Sequence, residues 1–193
     1  MIDYITGSVT ELNPAFVVVE CNGIGYSINI SLTTYAALER TEKCTVYIHE
    51  AIREDAHLLF GFAARDEREL FRQLITVSGI GANTARMMLS SLKPAELREA
   101  ITEADVNALK SIKGIGLKTA QRIIVDLKDK VGKHSGSGEI FAFSDNTVRE
   151  EALSALVMLG FAKNSASKVV DNLLKEDKSL AVEEIVRKAL KLL

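Results

Sequence analysis

The chain contains the string Val77-Ser78-Gly79-Ile80-Gly81-Ala82-Asn83-Thr84-Ala85 and, 35 residues later, the string Ile112-Lys113-Gly114-Ile115-Gly116-Leu117-Lys118-Thr119-Ala120. The same offset pairs Leu92 with Leu127 beyond the strings themselves. A match at one fixed offset over this length indicates an internal duplication. Because there are two copies, the sequence predicts a paired module and not a solenoid.

Each copy lies between two helical patterns. Apolar residues at three- and four-residue spacing predict an amphipathic helix over residues 65–77 and a second helix after the first string. A shorter apolar run at 109–112 leads into the second Gly-Ile-Gly, and a helix over 119–130 follows it. The glycines permit backbone angles that are closed to other residues. The predicted unit is therefore helix, glycine hairpin, helix, present twice.

Such a unit is suited to binding phosphate. Glycine lacks a Cβ, so the backbone of a ligand can come close. The helix that follows presents free N–H groups and the positive end of its dipole, which together bind anions. We expect Ile80 and Ile115 to turn inward and anchor the hairpins. A lone Gly-Ile-Gly, such as Gly23-Ile24-Gly25, is an ordinary turn, but two copies with matching flanks favour binding to a phosphate backbone.

Charge is distributed unevenly along the chain, although the net charge is only −2. Residues 1–63 carry three Lys/Arg and eight Asp/Glu, residues 64–131 carry twelve and nine, and residues 132–193 carry nine of each. Differences between segments indicate more about partners than the total does. The duplicated segment is the basic one.

The sequence predicts an α+β multidomain chain. Five β-type runs at 2–9, 15–20, 26–30, 45–48 and 57–62, with a short helix at 34–38, favour an OB-like β-barrel. Residues 64–131 form an all-α tandem helix–hairpin–helix domain. Gly and Ser crowd residues 132–146, which is flexible-linker composition. Helical patterns at 147–159, 163–175 and 180–193 predict a three-helix domain over 147–193.

Several classes of protein are disfavoured. The chain has no apolar run long enough to span a membrane and no signal peptide, and Cys21 and Cys44 stand alone, so we expect a soluble cytoplasmic protein with no metal or other cofactor. HExxH and Gly-x-Ser-x-Gly motifs are absent, which argues against an enzyme. A phosphate-binding loop is also absent, so the chain should not hydrolyse ATP alone.

The two strings resemble the tandem helix–hairpin–helix motif of proteins that bind DNA through its sugar–phosphate backbone. Together with Arg53-Glu54-Asp55-Ala56-His57-Leu58-Leu59-Phe60-Gly61-Phe62 and Ala155-Leu156-Val157-Met158-Leu159-Gly160-Phe161, they make the whole chain resemble the RuvA family. The resemblance implies a non-catalytic subunit that binds four-way (Holliday) junctions for branch migration in recombination and DNA repair. It implies a homotetramer, single or paired face to face as an octamer, with RuvB as ATPase motor and the RuvC resolvase in a larger complex.

The resemblance assigns DNA contacts to both hairpins. The implied positions are Gly79, Ile80, Gly81, Asn83, Thr84, Gly114, Ile115, Gly116, Lys118, Thr119 and Arg122. Asn83 and Leu117 stand where family members often carry lysine, so we expect the first hairpin to bind more weakly. A phosphate-only interface should be blind to sequence and steeply dependent on salt.

Two further sites follow from the resemblance. Glu54 and Asp55 match an acidic pin that repels phosphate at the crossover, whereas the residues alone favour a solvated turn. Leu156, Leu159 and Phe161 match the surface that docks RuvB, whereas the residues alone favour a core role. The alternative functions are a DNA-binding accessory of a structure-specific nuclease and an OB-type single-strand binder. The second needs exposed aromatic residues and a basic groove, which the acidic β region does not provide.

Overall fold

The computed structural model describes residues 1–131, 145–177 and 180–193. The chain forms two compact units, Met1–Ser137 and Gly138–Leu193. The predicted linker at 132–146 lies outside the described residues, except for its last two positions. Helix–hairpin–helix, barrel and three-helix elements are all present, which confirms the predicted fold class.

The first part of unit Met1–Ser137 is a closed five-stranded barrel with strand order β1-β2-β3-β5-β4. The strands are β1 (Tyr4–Leu12), β2 (Phe16–Cys21), β3 (Ile24–Ile30), β4 (Lys43–Ile52) and β5 (His57–Phe62). Helix α1 (Leu32–Leu38) connects the third strand to the fourth, as the sequence predicts. All neighbouring strands are antiparallel except β3 and β5, which are parallel.

Local sequence explains two features of the barrel. Asn22 and Gly23 have φ angles of 51° and 81°, the left-handed values that a tight hairpin needs between β2 and β3. The first strand continues to Leu12, beyond its predicted end at residue 9, because a register shift between Val9 and Glu11 lets it keep pairing with β2. Such a bulge interrupts the alternation from which the strand end was predicted.

Five helices follow the barrel within the described residues of the same unit. They are α2 (Arg65–Leu74), α3 (Ala82–Ser91), α4 (Pro94–Thr102), α5 (Val106–Lys110) and α6 (Leu117–Val131). The helix predicted at 65–77 is wrong at its end, because α2 stops at Leu74. Beyond it the chain tightens: the amides of Thr76 and Val77 donate to the carbonyls three residues earlier, at 3.1 Å each. This tighter turn leads into the first hairpin.

The barrel and the helices share a packed contact. Phe71 of α2 stacks with Phe60 at 5.5 Å between ring centroids and packs at a tilt against Phe62 at 4.9 Å. The buried Glu67 carboxylate accepts hydrogen bonds from the hydroxyls of Ser31 at 2.5 Å and Thr34 at 2.8 Å. Burial raises the pKa of Glu67. The predicted segments 1–63 and 64–131 therefore belong to one compact unit.

Unit Gly138–Leu193 contains α7 (Asp145–Met158), α8 (Lys163–Glu176) and α9 (Val182–Ala189). The Arg149 side chain bridges α7 and α8 by donating to both carboxylate oxygens of Asp171, at 2.6 and 3.1 Å. Bonding to this guanidinium lowers the pKa of Asp171. None of the helices in the described part of the chain has the length and apolar character needed to cross a membrane.

Candidate nucleic-acid interface

The two glycine hairpins have the same backbone. Gly79 and Gly114 have φ angles of 94° and 89°, which L-residues with a side chain rarely adopt. The amide of Ile80 donates to the Val77 carbonyl at 3.0 Å, and the corresponding bond in the second hairpin is also 3.0 Å. The first glycine of each string is therefore required by the turn itself.

Ile80 and Ile115 anchor the hairpins, as predicted. Each side chain is only 5% exposed and belongs to the same hydrophobic core as the helices. Their amides are already bonded within the turns. A buried side chain with a bonded amide shapes the hairpin, and DNA contact by these two residues stays a prediction.

The second glycine of each string has no comparable role in the protein. Gly81 has a φ of −88°, which any residue can adopt, and the φ of Gly116 also lies outside the left-handed region. A Cβ added at either position would meet no protein atom within 4 Å. Neither backbone strain nor packing demands glycine here. The feature fits a surface that another molecule approaches closely.

A helix begins immediately after each second glycine. The Gly81 carbonyl accepts from the Ala85 amide and the Gly116 carbonyl from the Ala120 amide, both at 2.9 Å. No side chain caps the start of α3. First-turn amides, such as those of Asn83 and Thr84, have no acceptor within their own helix. Both hairpins thus place free donors and the positive helix end at the surface.

The side chains around the hairpins differ in charge. Lys113, Lys118 and Arg122 are exposed around the second hairpin, and Asn83 is exposed at the first. Thr84 and Thr119 are half-buried at matching positions. DNA contact by Asn83, Thr84, Lys118, Thr119 and Arg122 stays a prediction. The sequence analysis did not single out Lys113 as a candidate for DNA contact, although this lysine lies inside the second repeated string.

One contact brings the two hairpins together. The Arg122 guanidinium on α6 lies 3.5 Å from the carbonyl of Ser78 in the first hairpin. By contrast, Arg86 on α3 is directed to the barrel, where it donates to the Ala15 carbonyl at 2.8 Å and to the Asn29 amide oxygen at 3.3 Å. The second hairpin therefore supplies exposed cations to a surface that both hairpins share.

Glu54 and Asp55 occupy the exposed turn between β4 and β5. The turn is closed by a hydrogen bond of 2.8 Å from the Arg53 amide to the Ala56 carbonyl. Within the described residues, neither carboxylate takes part in an ion pair. Two unneutralised negative charges thus project from the barrel. Their action on DNA stays a prediction.

The predicted docking residues of the C-terminal unit lie in different environments. Leu156 is 0% exposed and Phe161 packs against the same core, whereas Leu159 is exposed. Helical phase points the Leu156 side chain inward, and contact of these three residues with a partner stays a prediction. The same phase exposes Val157 and Met158, which sequence reasoning passed over, and Met158 is 86% exposed.

Potential metal ligands do not cluster in this geometry. Among the residues that the structure describes, no three His, Cys, Asp or Glu side chains are grouped so that they could hold an ion.

Comparison with known proteins assigns the family. Three family models match in order: RuvA N terminal domain at residues 1–61, SAM-like Helix-hairpin-helix tandem at 71–129, and RuvA, C-terminal domain at 147–193. A protein of Christiangramia forsetii is 55% identical over 191 residues, covering 99% of both chains. The chain belongs to the RuvA family. Relatives from Bacteroides thetaiotaomicron and Porphyromonas gingivalis are 52% and 50% identical over 99% and 100% of both chains.

All three relatives carry the name Holliday junction branch migration complex subunit RuvA. The match to the RuvA family extends over the barrel, the tandem hairpins and the C-terminal unit, so it includes every region from which the resemblance was inferred.

Proposed function

We propose that this chain binds four-way DNA junctions by their shape, as a homotetramer, and holds them open for branch migration. The observation that carries the proposal is the pair of second glycines, Gly81 and Gly116, which the protein's own backbone and packing do not require. Each precedes a helix start with free amides in the basic segment of the chain. Contacts of this kind go to phosphate and carry no base sequence.

Junction preference then comes from the arrangement of several chains and not from any one hairpin. Each arm of a four-way junction is a duplex, and a pair of hairpins binds a duplex independently of its base sequence. Four chains around one point would bring four Glu54–Asp55 turns to the crossover. Carboxylates there repel phosphates and favour separated strands.

The chain's partner in this role is an ATP-driven RuvB-type motor. The exposed Val157, Met158 and Leu159 at the end of α7 form the apolar surface that we assign to docking. Hydrolysis of ATP belongs to the motor, and this chain acts as a non-catalytic subunit in the cytoplasm. A RuvC-type resolvase joins the same junction in a larger complex.

The direct test is a gel shift with a four-way junction and a linear duplex of equal length across a range of salt, paired with light scattering. We expect a four-chain particle that prefers the junction and loses affinity steeply as salt rises. Equal affinity for both DNAs would contradict the proposal. Cleavage of the junction in the presence of Mg²⁺ would contradict the non-catalytic role.

The acidic pin has its own test. In the variant Glu54→Gln/Asp55→Asn the repulsion of phosphate is removed and the shape of the side chains is kept. We expect junction binding that is as tight as wild type or tighter, with an altered rate of motor-driven branch migration. An unchanged migration rate would show that the two residues form a solvated turn only.

A further inference from the structure

Hydrogen bonds from several side chains attach helix α3 to the barrel. Near the start of the helix, the Arg86 guanidinium donates to the Ala15 carbonyl at 2.8 Å and to the Asn29 side-chain oxygen at 3.3 Å. Ala15 lies between β1 and β2, and Asn29 lies in β3. The start of α3 is therefore attached to two parts of the barrel at once.

Two more hydrogen bonds attach the end of α3. The Thr33 hydroxyl donates to the Leu89 carbonyl at 2.8 Å, and the Leu32 amide donates to the Ser90 hydroxyl at 3.0 Å. Positions 86, 89 and 90 lie on one face of the helix, because residues three and four apart are neighbours on its surface. The side chains that make these bonds are called the α3–barrel seam: Asn29, Thr33, Arg86 and Ser90.

The seam continues to the strand that follows the acidic pin. The Asn29 side-chain amide donates to the Leu59 carbonyl of β5 at 3.1 Å. Strand β5 follows the turn that carries Glu54 and Asp55. Two consecutive side chains, those of Arg86 and Asn29, thus connect the helix of the first hairpin to the strand of the pin.

The second hairpin is attached differently. Within residues 1–131, no side-chain hydrogen bond joins α6 to the barrel, and Arg122 bonds instead to the Ser78 carbonyl of the first hairpin at 3.5 Å. The exposed cations Lys113 and Lys118 lie at this second hairpin. The hairpin with less charge is therefore the one that is bonded directly to the barrel.

Directed hydrogen bonds suit a positioning role. A hydrogen bond weakens steeply away from its preferred angle, whereas apolar burial has no preferred direction. Leu89 is buried in the core that α3 shares with the other helices, so α3 is already stabilised there. Arg86 lies about one turn after the start of α3. The seam thus adds a defined orientation of the first hairpin relative to the barrel.

We propose that the α3–barrel seam sets the position of the first hairpin relative to the acidic pin, and that this position determines selectivity for a four-way junction. The inference rests on the proposed function, in which the hairpin binds a duplex arm and the pin stands at the crossover. A fixed spacing brings the end of that arm to the pin carboxylates, where its strands separate. Asn29, Thr33 and Arg86 are positioning residues, because they act through the hairpin and the pin.

The test uses the double variant Asn29→Leu/Thr33→Val in the full chain, which removes seam bonds and leaves the net charge unchanged. The matched control is Thr102→Val/Asn107→Leu, the same two changes on α4 and α5. Fluorescence anisotropy measures the affinity for a four-way junction and for a linear duplex of equal length. The fluorescence of 2-aminopurine placed beside the crossover reports unpaired bases.

We expect the seam variant to bind the linear duplex as wild type does and to lose about fivefold in selectivity for the junction, the change that one hydrogen bond of ordinary strength produces. Its 2-aminopurine signal at the crossover should be clearly lower than that of wild type. Ser90→Ala, which removes one bond to the barrel, should change both quantities in the same direction by less. The control should match wild type in both.

The outcomes separate the inference from the proposed function. A folded seam variant with wild-type selectivity and 2-aminopurine signal overturns the inference and leaves the proposed function intact. An equal loss of affinity for both DNAs also overturns it, because the seam would then be part of the DNA surface. A wild-type chain without junction preference overturns the proposed function and the inference with it.

Two further measurements keep the test decisive. Light scattering compares the mass of each variant with that of wild type, and a seam variant that loses its assembly overturns the inference, because the seam would then act on assembly. Thermal unfolding monitored by circular dichroism verifies that each variant is folded. If the double variant does not fold, Ser90→Ala decides between the same outcomes.

Discussion

The two glycine hairpins share a backbone and differ in charge. Both have a first glycine near φ 90°, an inner hydrogen bond of 3.0 Å and a buried isoleucine at the centre. The 35-residue offset aligns Lys113 with Ser78 and Lys118 with Asn83. The hairpins therefore repeat the backbone geometry without repeating the charge.

The difference extends to the arginines. Arg86 is near the first hairpin but bonds to the barrel at the Ala15 carbonyl. Arg122, near the second, is exposed and reaches the carbonyl of Ser78. Geometry and electrostatics are thus separable here: the first hairpin has the backbone geometry alone, and the second has the same geometry together with exposed cations.

The largest expected effect comes from making the second hairpin resemble the first. Lys113→Ser with Lys118→Asn removes two exposed cations beside a helix start. Each charge-assisted hydrogen bond contributes about 1.5 kcal/mol, so we expect junction binding to weaken roughly 100-fold at moderate salt. The slope of log K against log[salt] should also become shallower, by about 0.9 for each phosphate that is no longer neutralised. Fluorescence anisotropy with a labelled junction measures both.

The matched control for this double variant is Lys128→Asn with Lys130→Ser, which removes the same charge from the other end of α6. Both lysines are exposed and lie in the last turn of the helix. We expect at most a small, general decrease in affinity. Equal decreases in the two double variants would mean that net charge, and not the hairpin, governs binding.

The next effect tests the geometry that the hairpins share. Gly81→Ala and Gly116→Ala each add a methyl group to an open surface. Because the backbone there suits any residue, we expect unfolding free energies within about 1 kcal/mol of wild type. DNA affinity should fall about tenfold in each variant, since the added methyl group would occupy the place of a phosphate. Urea unfolding measures the stability, and fluorescence anisotropy measures the DNA affinity.

Gly79→Ala is the informative counterpart. Its φ of 94° makes alanine strained, so we expect a stability loss of about 1–2 kcal/mol there and not at residue 81. Full DNA affinity in Gly81→Ala would contradict close approach of a ligand at the second glycine.

The smallest expected effect is on stability and concerns how the first hairpin is held. Glu67 ties α2, which leads into that hairpin, to Ser31 and Thr34 of the barrel. Its folded-state pKa is raised above the ordinary value of 4.5 by burial, so its stabilising contribution is present below pH 4.5 and is lost as pH rises through the folded pKa. In Glu67→Gln we expect the free energy of unfolding to depend less on pH between 4.5 and the folded-state pKa of Glu67.

Urea unfolding of both proteins from pH 4 to 8 isolates this contribution, because other carboxylates cancel in the difference. Wild type should lose stability relative to Glu67→Gln as pH rises. A constant difference across the series would show that Glu67 does not change its pKa on folding.

Short-range features of this molecule were predictable from sequence. The inward turn of Ile80 and Ile115, the left-handed turn at Asn22-Gly23 and the helix between the third and fourth strands depend on residues close in the chain. The exact phase of a helix was less accessible: the prediction placed Leu156 on a partner surface, but its side chain is buried, whereas those of its neighbours Val157 and Met158 are exposed.

Long-range contacts were not predictable. The bond from Arg86 to the Ala15 carbonyl joins residues 71 positions apart, and no local pattern indicates it. A groove beside Ile52 is likewise formed by three segments that are distant in sequence. These contacts decide which cations remain exposed and which surface remains apolar.

The central claim is that either hairpin can hold phosphate and that the lysine determines how strongly. The most direct test moves the positive charge from the second hairpin to the first. It compares Lys118→Asn alone with Lys118→Asn combined with Asn83→Lys, and it measures the salt dependence of junction binding in each. We expect the single variant to weaken binding and flatten the salt slope, and the combined variant to recover most of both. A combined variant that binds no better than the single one would contradict the equivalence of the two hairpins.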